Sequence, residues 1–388
     1  MRHALRARWP RTVAACLVAA LFSGAAAAEI VIGASFSATG PAAALGIAPR
    51  NTLQLFPETI AGEKVRIVFL DDATDPSLAA RNARRFVDEE KADLIIGSTA
   101  SPAAIAIAEI ANASRTVQLA AAPIELPDDK NGWVFRLPQG ISLMAEGTVQ
   151  HMKQSGVRSI GFLGYTDAYG ESLLRDVKRE AEAAGLKVVA AERFARNDTS
   201  VTAQALKVTA AQPDAVLVVA SGSGALMPQK ALLERGYKGK VYQTYSAVAQ
   251  DLVRMGGKDV EGTLGLSGPA GAIDELPDGH PSKKVAQDFQ QRYDAKFGAG
   301  TYNQFAANVW CAKVLLERAV PLALKKAKPG TPEFRAALRE AFETVGEVPV
   351  PQGVLRYSAK DHFGYDDRAR LVLSVQNGRW RAAPASAR

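Results

Sequence analysis

Cysteine is nearly missing from this sequence: Cys16 and Cys311 are the only two in 388 residues. Cys16 lies in an N-terminal stretch expected to be removed, so a disulfide scaffold within one mature chain is excluded. Histidine is scarce too, with His151, His280 and His362 left beyond that stretch. His151 falls in a helical segment and the others in polar loops beside "DG" and "KD". None is paired by the sequence with a nucleophile, and a general base must lie within hydrogen-bond reach of the group it serves. The hydrolase elbow G-x-S-x-G is lacking in "VASGSGA", where Ser221 stands two residues before Ser223 in place of Gly. The first glycine-rich turn is no G-x-G-x-x-G dinucleotide fingerprint, and Walker-type phosphate loops are missing. After the N-terminus no stretch reaches the roughly 18 apolar residues a membrane helix needs.

What is present begins with "MRHALRARWPRTVAACLVAALFSGAAAA", in which arginines precede an apolar run and a string of small residues. This is the pattern of a cleavable export signal, with cleavage expected before Glu29 and a periplasmic product. "VAAC" only loosely resembles a lipoprotein box, because most of the apolar region follows it. The leader carries four Arg and no acid, so its loss takes the formal net charge from +7 to +3. A nucleic-acid partner loses its main support. A hydrophobic content of 47% and a charged content of 22% suit a globular chain long enough for two cores.

Short β-rich runs alternate with helical stretches. "EIVIGASF", "VRIVFLDD", "ADLIIGS" and "VQLAAA" come first, then "SIGFLGY", "LKVVAAERF", "DAVLVVAS" and "KVYQTYS". Continuous apolar runs suit parallel strands buried on both faces. Segments such as "PSLAARNARRFVDEEK" and "YGESLLRDVKREAEAAG" read as the intervening helices. The expected fold class is α/β, with two doubly wound lobes. From about residue 281 three helical segments follow in a row before "VLRYS" and "RLVLSV", as if the chain returns to its first lobe. Crossings are expected near 135–140, 266–271 and 348–353, which would make a three-crossing hinge. The division is a signal peptide at 1–28, lobe 1 at 29–138 and 271–352, lobe 2 at 139–270 and 353–382, and a tail at 383–388.

Candidate chemistry lies where strands end. In "FSATGPAAALG" Pro41 is expected in the first turn of a helix, whose free N–H groups would attract an anion or serve only as a connection. In "IIGSTASPAAIAIAEIA" Ser101 is expected as N-cap and Pro102 as the first helical residue, at a strand end where open α/β sheets usually hold ligands. Asp71, Asp72 and Asp75 in "FLDDATDP" do not match a calcium loop, and Asp75 reads as a helix cap. Cys311, within "FAANVWCAKVLL", reads as a core residue.

"IVIGASFSATGPAAALG", "LDDATDPSLAARNARRFVDEEKADLIIGSTASP", "FLGYTDAYGESLLRDVKREAEAAGLKVV" and "QPDAVLVVASG" together resemble the leucine/isoleucine/valine-binding protein family. These are the type I periplasmic solute-binding proteins of ABC importers, and the likeness runs over essentially the whole mature chain. It implies two lobes that close on a small molecule, an ABC permease in the inner membrane as partner, a monomer, and no catalysis or cofactor; no metal is expected either, since the aspartates do not match a calcium loop. The loop with Thr99, Ala100 and Ser101 resembles the family's carboxylate-binding loop. Ala121 and Ala122 match the next loop, although the family's Thr is absent there. Tyr169 in "DAYGES" matches the tyrosine of the second lobe that closes over the ligand, and Leu45 replaces a tyrosine expected before Gly46.

In "YQTYSAVAQ" amino-acid binders of the family usually carry an acid for the ligand's ammonium group; this chain has Tyr245 and Ser246. A buried unpaired ammonium would cost several kcal/mol. Ser221, Gly222 and Ser223 stand where those binders often present aromatic groups, making room for a bulkier ligand. With Leu45, these departures resemble the branch that takes up aromatic carboxylates such as benzoate derivatives. The expected function is capture of such an acid for an ABC importer. Branched-chain or other amino-acid uptake, and a periplasmic ligand-sensing subunit, are the alternatives left open.

Overall fold

The computed structural model describes residues 29–383. The expected signal peptide with Cys16, and all of the expected tail but its first residue, lie outside the described residues. The first sheet is built from β1 (Glu29–Phe36), β2 (Thr59–Ile60), β3 (Glu63–Asp71), β4 (Leu94–Gly97), β5 (Val117–Ala120) and β6 (Val134–Arg136). Its order is β2-β3-β1-β4-β5-β6, parallel except for β2. Helices α1 (Ile47–Leu53), α2 (Pro76–Asp88) and α3 (Ser101–Ser114) connect these strands.

The second sheet uses β7 (Ser159–Tyr165), β8 (Lys187–Phe194), β9 (Ala215–Val219), β10 (Lys240–Gln243) and β11 (Leu264–Ser267). Between them run α4 (Ile141–Gln154), α5 (Ala168–Ala184), α6 (Thr202–Ala210), α7 (Leu226–Glu234) and α8 (Gln250–Gly256), with α4 leading into β7. After α9 (Lys283–Phe297), α10 (Gln304–Ala323) and α11 (Pro332–Thr344), strands β12 (Val348–Val350) and β13 (Gly353–Leu355) form a separate ribbon. Then β14 (Leu371–Gln376) and β15 (Arg379–Ala382) finish the second sheet as antiparallel edge strands, in the order β15-β14-β11-β10-β9-β7-β8.

The unbroken apolar runs follow from two-sided burial. Ile30, Ile32, Ala34 and Phe36 of β1 face a core with Leu315 and Leu316 of α10 and Phe334 and Phe342 of α11. Val31, from the other face, meets Ala79, Ala83 and Phe86 of α2. The late helices thus cover the first sheet. So do Leu355 and Tyr357, which sequence places in the second lobe. The last passage between sheets is at Ala369–Arg370, well beyond 348–353, because "VPVPQG" makes the tight β12–β13 turn instead of a crossing. The strand expected over "KVYQTYS" stops at Gln243, and Tyr245–Ala247 form a short 3-10 turn.

Cys311 is wholly buried, and burial pushes its thiol up to about 12 while Tyr365 donates to its sulfur at 3.8 Å. Only the thiolate is nucleophilic. A thiol reagent at mildly alkaline pH should leave Cys311 unmodified in the native protein and react with it after denaturation; rapid modification of native protein would contradict this packing.

Candidate functional site

Both sheets change winding direction beside their first parallel strands, β1 in the first and β7 in the second, and the loops at such switch points form a crevice. On the first lobe the crevice loops follow β1, β4 and β5. Two of them, those after β1 and β4, are tied to the end of β3 by one carboxylate. Asp72, fully buried after β3, accepts from the hydroxyls of Ser35 (3.2 Å), Ser37 (2.7 Å) and Ser98 (2.7 Å) and from the Thr74 N–H (3.1 Å). The Ser37 N–H donates to Thr99 Oγ1 at 3.3 Å. Asp71 accepts from the N–H groups of Ala38, Thr39 and Ala73. Gly97 permits the approach of β4 to β1: at φ +132° a Cβ there would lie 1.9 Å from the Ser35 carbonyl oxygen. Asp75 caps α2 by accepting from Ser77 and Leu78, as its position before Pro76 suggested.

Two expected helix starts differ. Pro41 precedes a short 3-10 turn at Ala43–Leu45, and α1 begins only at Ile47. Ala100, not Ser101, is the N-cap of α3; Ser101 and Pro102 occupy its first turn. The first backward helical bond runs from the Ala104 N–H to Ala100 O, so the N–H groups of Ser101 and Ala103 have no helical acceptor, and Pro102 has no N–H. The Ser101 hydroxyl has no hydrogen-bond partner among the described residues, and the residue lines a void between the lobes. A 14-residue helix adds its positive end to that position.

This void is small, a cavity of about 10 Å³. From the first lobe Leu45, Thr99 and Ser101 line it; from the second come Tyr169, Ser221, Tyr245 and Ser246. Four other sequence candidates lie apart. Ala100, Ala121 and Ala122 are buried in apolar clusters, and Gly222 lines an adjoining pocket of about 200 Å³ that shares Leu45 and Tyr245 as walls. Sequence reasoning pointed to the loop at 121–123 without singling out Pro123, and missed Arg196 and Phe305; these three complete the void. Arg196 had an available signal, since it lies two residues past the carboxyl end of β8. A larger cleft of about 470 Å³ holds none of the sequence candidates.

Arg196 is the one ionised side chain in the lining. Its guanidinium stacks 4.1 Å from the Tyr165 ring centroid, pairs with Asp167 through Nε and donates from Nη1 to Ser221 Oγ at 3.0 Å. Asp167 also caps α5, accepting from the Tyr169 and Gly170 N–H groups, so one carboxylate orients both the cation and the tyrosine. The Tyr169 hydroxyl donates to Thr244 Oγ1 (2.9 Å) and lies 3.0 Å from Ser246 Oγ, which donates to Ala220 O. Tyr245 meets the Tyr169 ring edge-on, and its own hydroxyl is buried with no partner among the described residues. Burial pushes Tyr169 up to about 12 and Tyr245 well above the ordinary phenol value, so both stay neutral donors at physiological pH. The arrangement offers an anion a helix end on one side and a cation on the other.

Residues 29–377 match the family described as periplasmic binding protein. The chain is 26% identical over 394 aligned positions to a Leu/Ile/Val-binding protein homolog of Brucella abortus, with 93% of each chain covered. An extracellular ligand-binding receptor from Rhodopseudomonas palustris is 46% identical with a TM-score of 0.90, covering 92% of this chain and 99% of that one. A solute binding protein of an ABC transporter from R. palustris, solved in complex with benzoate, shares the fold at 19% identity and a TM-score of 0.76, covering 92% of this chain and 96% of that one. No described helix is long and apolar enough to cross a membrane.

Burial raises Asp72 above the ordinary carboxylate range, while its hydroxyl and N–H donors pull it down. A native value above the unfolded one means that stability from this group is fully present below the unfolded pKa and is lost as pH rises through the native pKa. Asp72→Asn, always neutral, should therefore cost more stability at about pH 4 than at about pH 7 in urea unfolding. A larger cost at the higher pH would contradict the assignment.

Proposed function

The chain belongs to the periplasmic binding protein family, and from that premise we propose that it captures a small organic acid, an aromatic carboxylate such as a benzoate derivative, between its two lobes. The observation that carries this reading is the charge of the void: Arg196 is its one ionised lining residue, and no carboxylate lines it. A carboxylate ligand would meet Ser101 Oγ and the free N–H groups of α3 on one lobe and Arg196 on the other. Its ring would lie against Leu45, Tyr245 and Phe305, which also wall the adjoining pocket of about 200 Å³. An α-amino acid would bring an ammonium group that finds no anionic partner among the residues lining the void, at a cost of several kcal/mol. The benzoate complex from R. palustris supports this at the level of fold; the argument for the ligand rests on this chain's own residues. Export by a cleaved leader, work as a monomer and delivery to an ABC permease complete the proposal.

The names of the curated relatives favour branched-chain amino-acid binding as the second reading. A thermal-shift panel of benzoates, hydroxycinnamates and amino acids separates the two. A ligand at 100 times its dissociation constant adds about 2.7 kcal/mol of stability. We expect a benzoate-type acid to raise the melting temperature and leucine to leave it unchanged; the reverse pattern would overturn the aromatic assignment. Ser101→Ala should weaken the carboxylate ligand by roughly 1.5–3 kcal/mol, the value of a hydrogen bond to a charged group. An unchanged affinity by calorimetry would remove Ser101 from the site.

A further inference from the structure

Three chain passages join the lobes, and buried amides stitch them together. Gln139, in the first passage, donates from Nε2 to Ala369 O of the third (3.3 Å) and to Gln352 O (3.0 Å). Gln352 Nε2 donates to Gln304 O (3.0 Å) and Asn308 Oδ1 (2.9 Å). Gly268, in the second passage, directs its N–H at Gln304 Oε1 (3.5 Å). There is no room for a side chain at that point, since a Cβ on Gly268 would lie 2.2 Å from Gln139 Nε2 and 2.3 Å from Gln352 Oε1. Gln139, Gln304, Asn308 and Gln352 are all buried.

Gln304 is where this cluster reaches the ligand crevice. Its Nε2 leaves the hinge and donates across the lobes to Tyr245 O at 3.1 Å. Its neighbour Phe305 and the acceptor residue Tyr245 are both walls of the void. Asn303, the preceding residue, caps α10 and donates to Ala44 O, so the backbone at Gln304 is fixed on the first lobe. Other bonds between the lobes, Arg175 with Glu125 and Arg381 with Glu275, lie at partly exposed positions, where water and salt weaken an ion pair. The Gln304 bond is shielded from both.

We propose that Gln304 is a positioning residue that locks the closed cleft to the hinge: its carboxamide holds Tyr245 on the second lobe while its other groups receive the hinge passages. The bond to Tyr245 O spans the lobes, so opening the cleft about the hinge breaks it, and its free energy adds to the closed state alone. The inference rests on the two-lobed binding reading for its use but not for its test.

Gln304→Met keeps the length of the side chain and removes the donor, leaving the Tyr245 carbonyl unpaired. Gln304→Leu serves if the first variant fails to fold. Small-angle scattering of the protein without added ligand should give a larger radius of gyration for either variant than for the wild type. With benzoate as probe, stopped-flow binding should show dissociation faster by about tenfold and association nearly unchanged, because the lock forms after encounter. A residue that only supported the fold would lower the melting temperature without this split. Scattering and dissociation equal to wild type would overturn the proposal. If benzoate fails to bind the wild type, the aromatic-acid reading falls while the scattering comparison still decides the role of Gln304.

Discussion

A carboxylate removed from water must find its hydrogen bonds inside the protein, and Asp72 finds them at the ends of other strands. Ser35 and Ser37 come from β1 and the loop after it, Ser98 from the loop after β4, and Asp72 itself follows β3. The three loops therefore cannot move independently. Ser98, Thr99 and Ser101 share a single short segment, so the order imposed at Asp72 extends to the start of α3 and its uncapped N–H groups. The anion-favouring end of the first lobe is in this sense built from behind, by a group that no ligand would touch.

The second lobe solves the same problem with different chemistry. Asp167 starts α5, fixes the backbone at Tyr169 and pairs with Arg196, whose guanidinium is also held flat on Tyr165. The hydroxyl cluster of Tyr169, Thr244 and Ser246 is anchored to Ala220 O. Hydrogen bonds that could have gone to a ligand are thus partly used within the lobe. What remains open is the far edge of Arg196 and the unpaired hydroxyl of Tyr245. Fixed donors of this kind cost little ordering on binding, which is how a small void can discriminate strongly.

Much of this was legible in the sequence. The apolar runs marked strands buried on both faces, and the points where they ended marked the crevice. Three features were not. Ser101 before Pro102 has the look of a cap, yet the turn shifts the cap to Ala100 and leaves the hydroxyl free. "VPVPQG" reads as a crossing, but pairing of β12 with β13 is a tertiary event that local composition does not signal. Arg196 sits in "ERFARND" among other charges, and only the stacking on Tyr165 and the bond to Ser221 distinguish it from a solvated arginine. Side chains from opposite lobes meet by topology, which residue spacing along one strand cannot report.

The isolation of Cys311 also has a practical consequence. Its sulfur is sealed between α10 and the first sheet, and it is the one free cysteine among the described residues. An environment-sensitive dye attached through a cysteine engineered at the rim, near exposed Met255, would have little competition from the native thiol. A chain labelled in this way would report ligand binding optically wherever binding moves one lobe against the other.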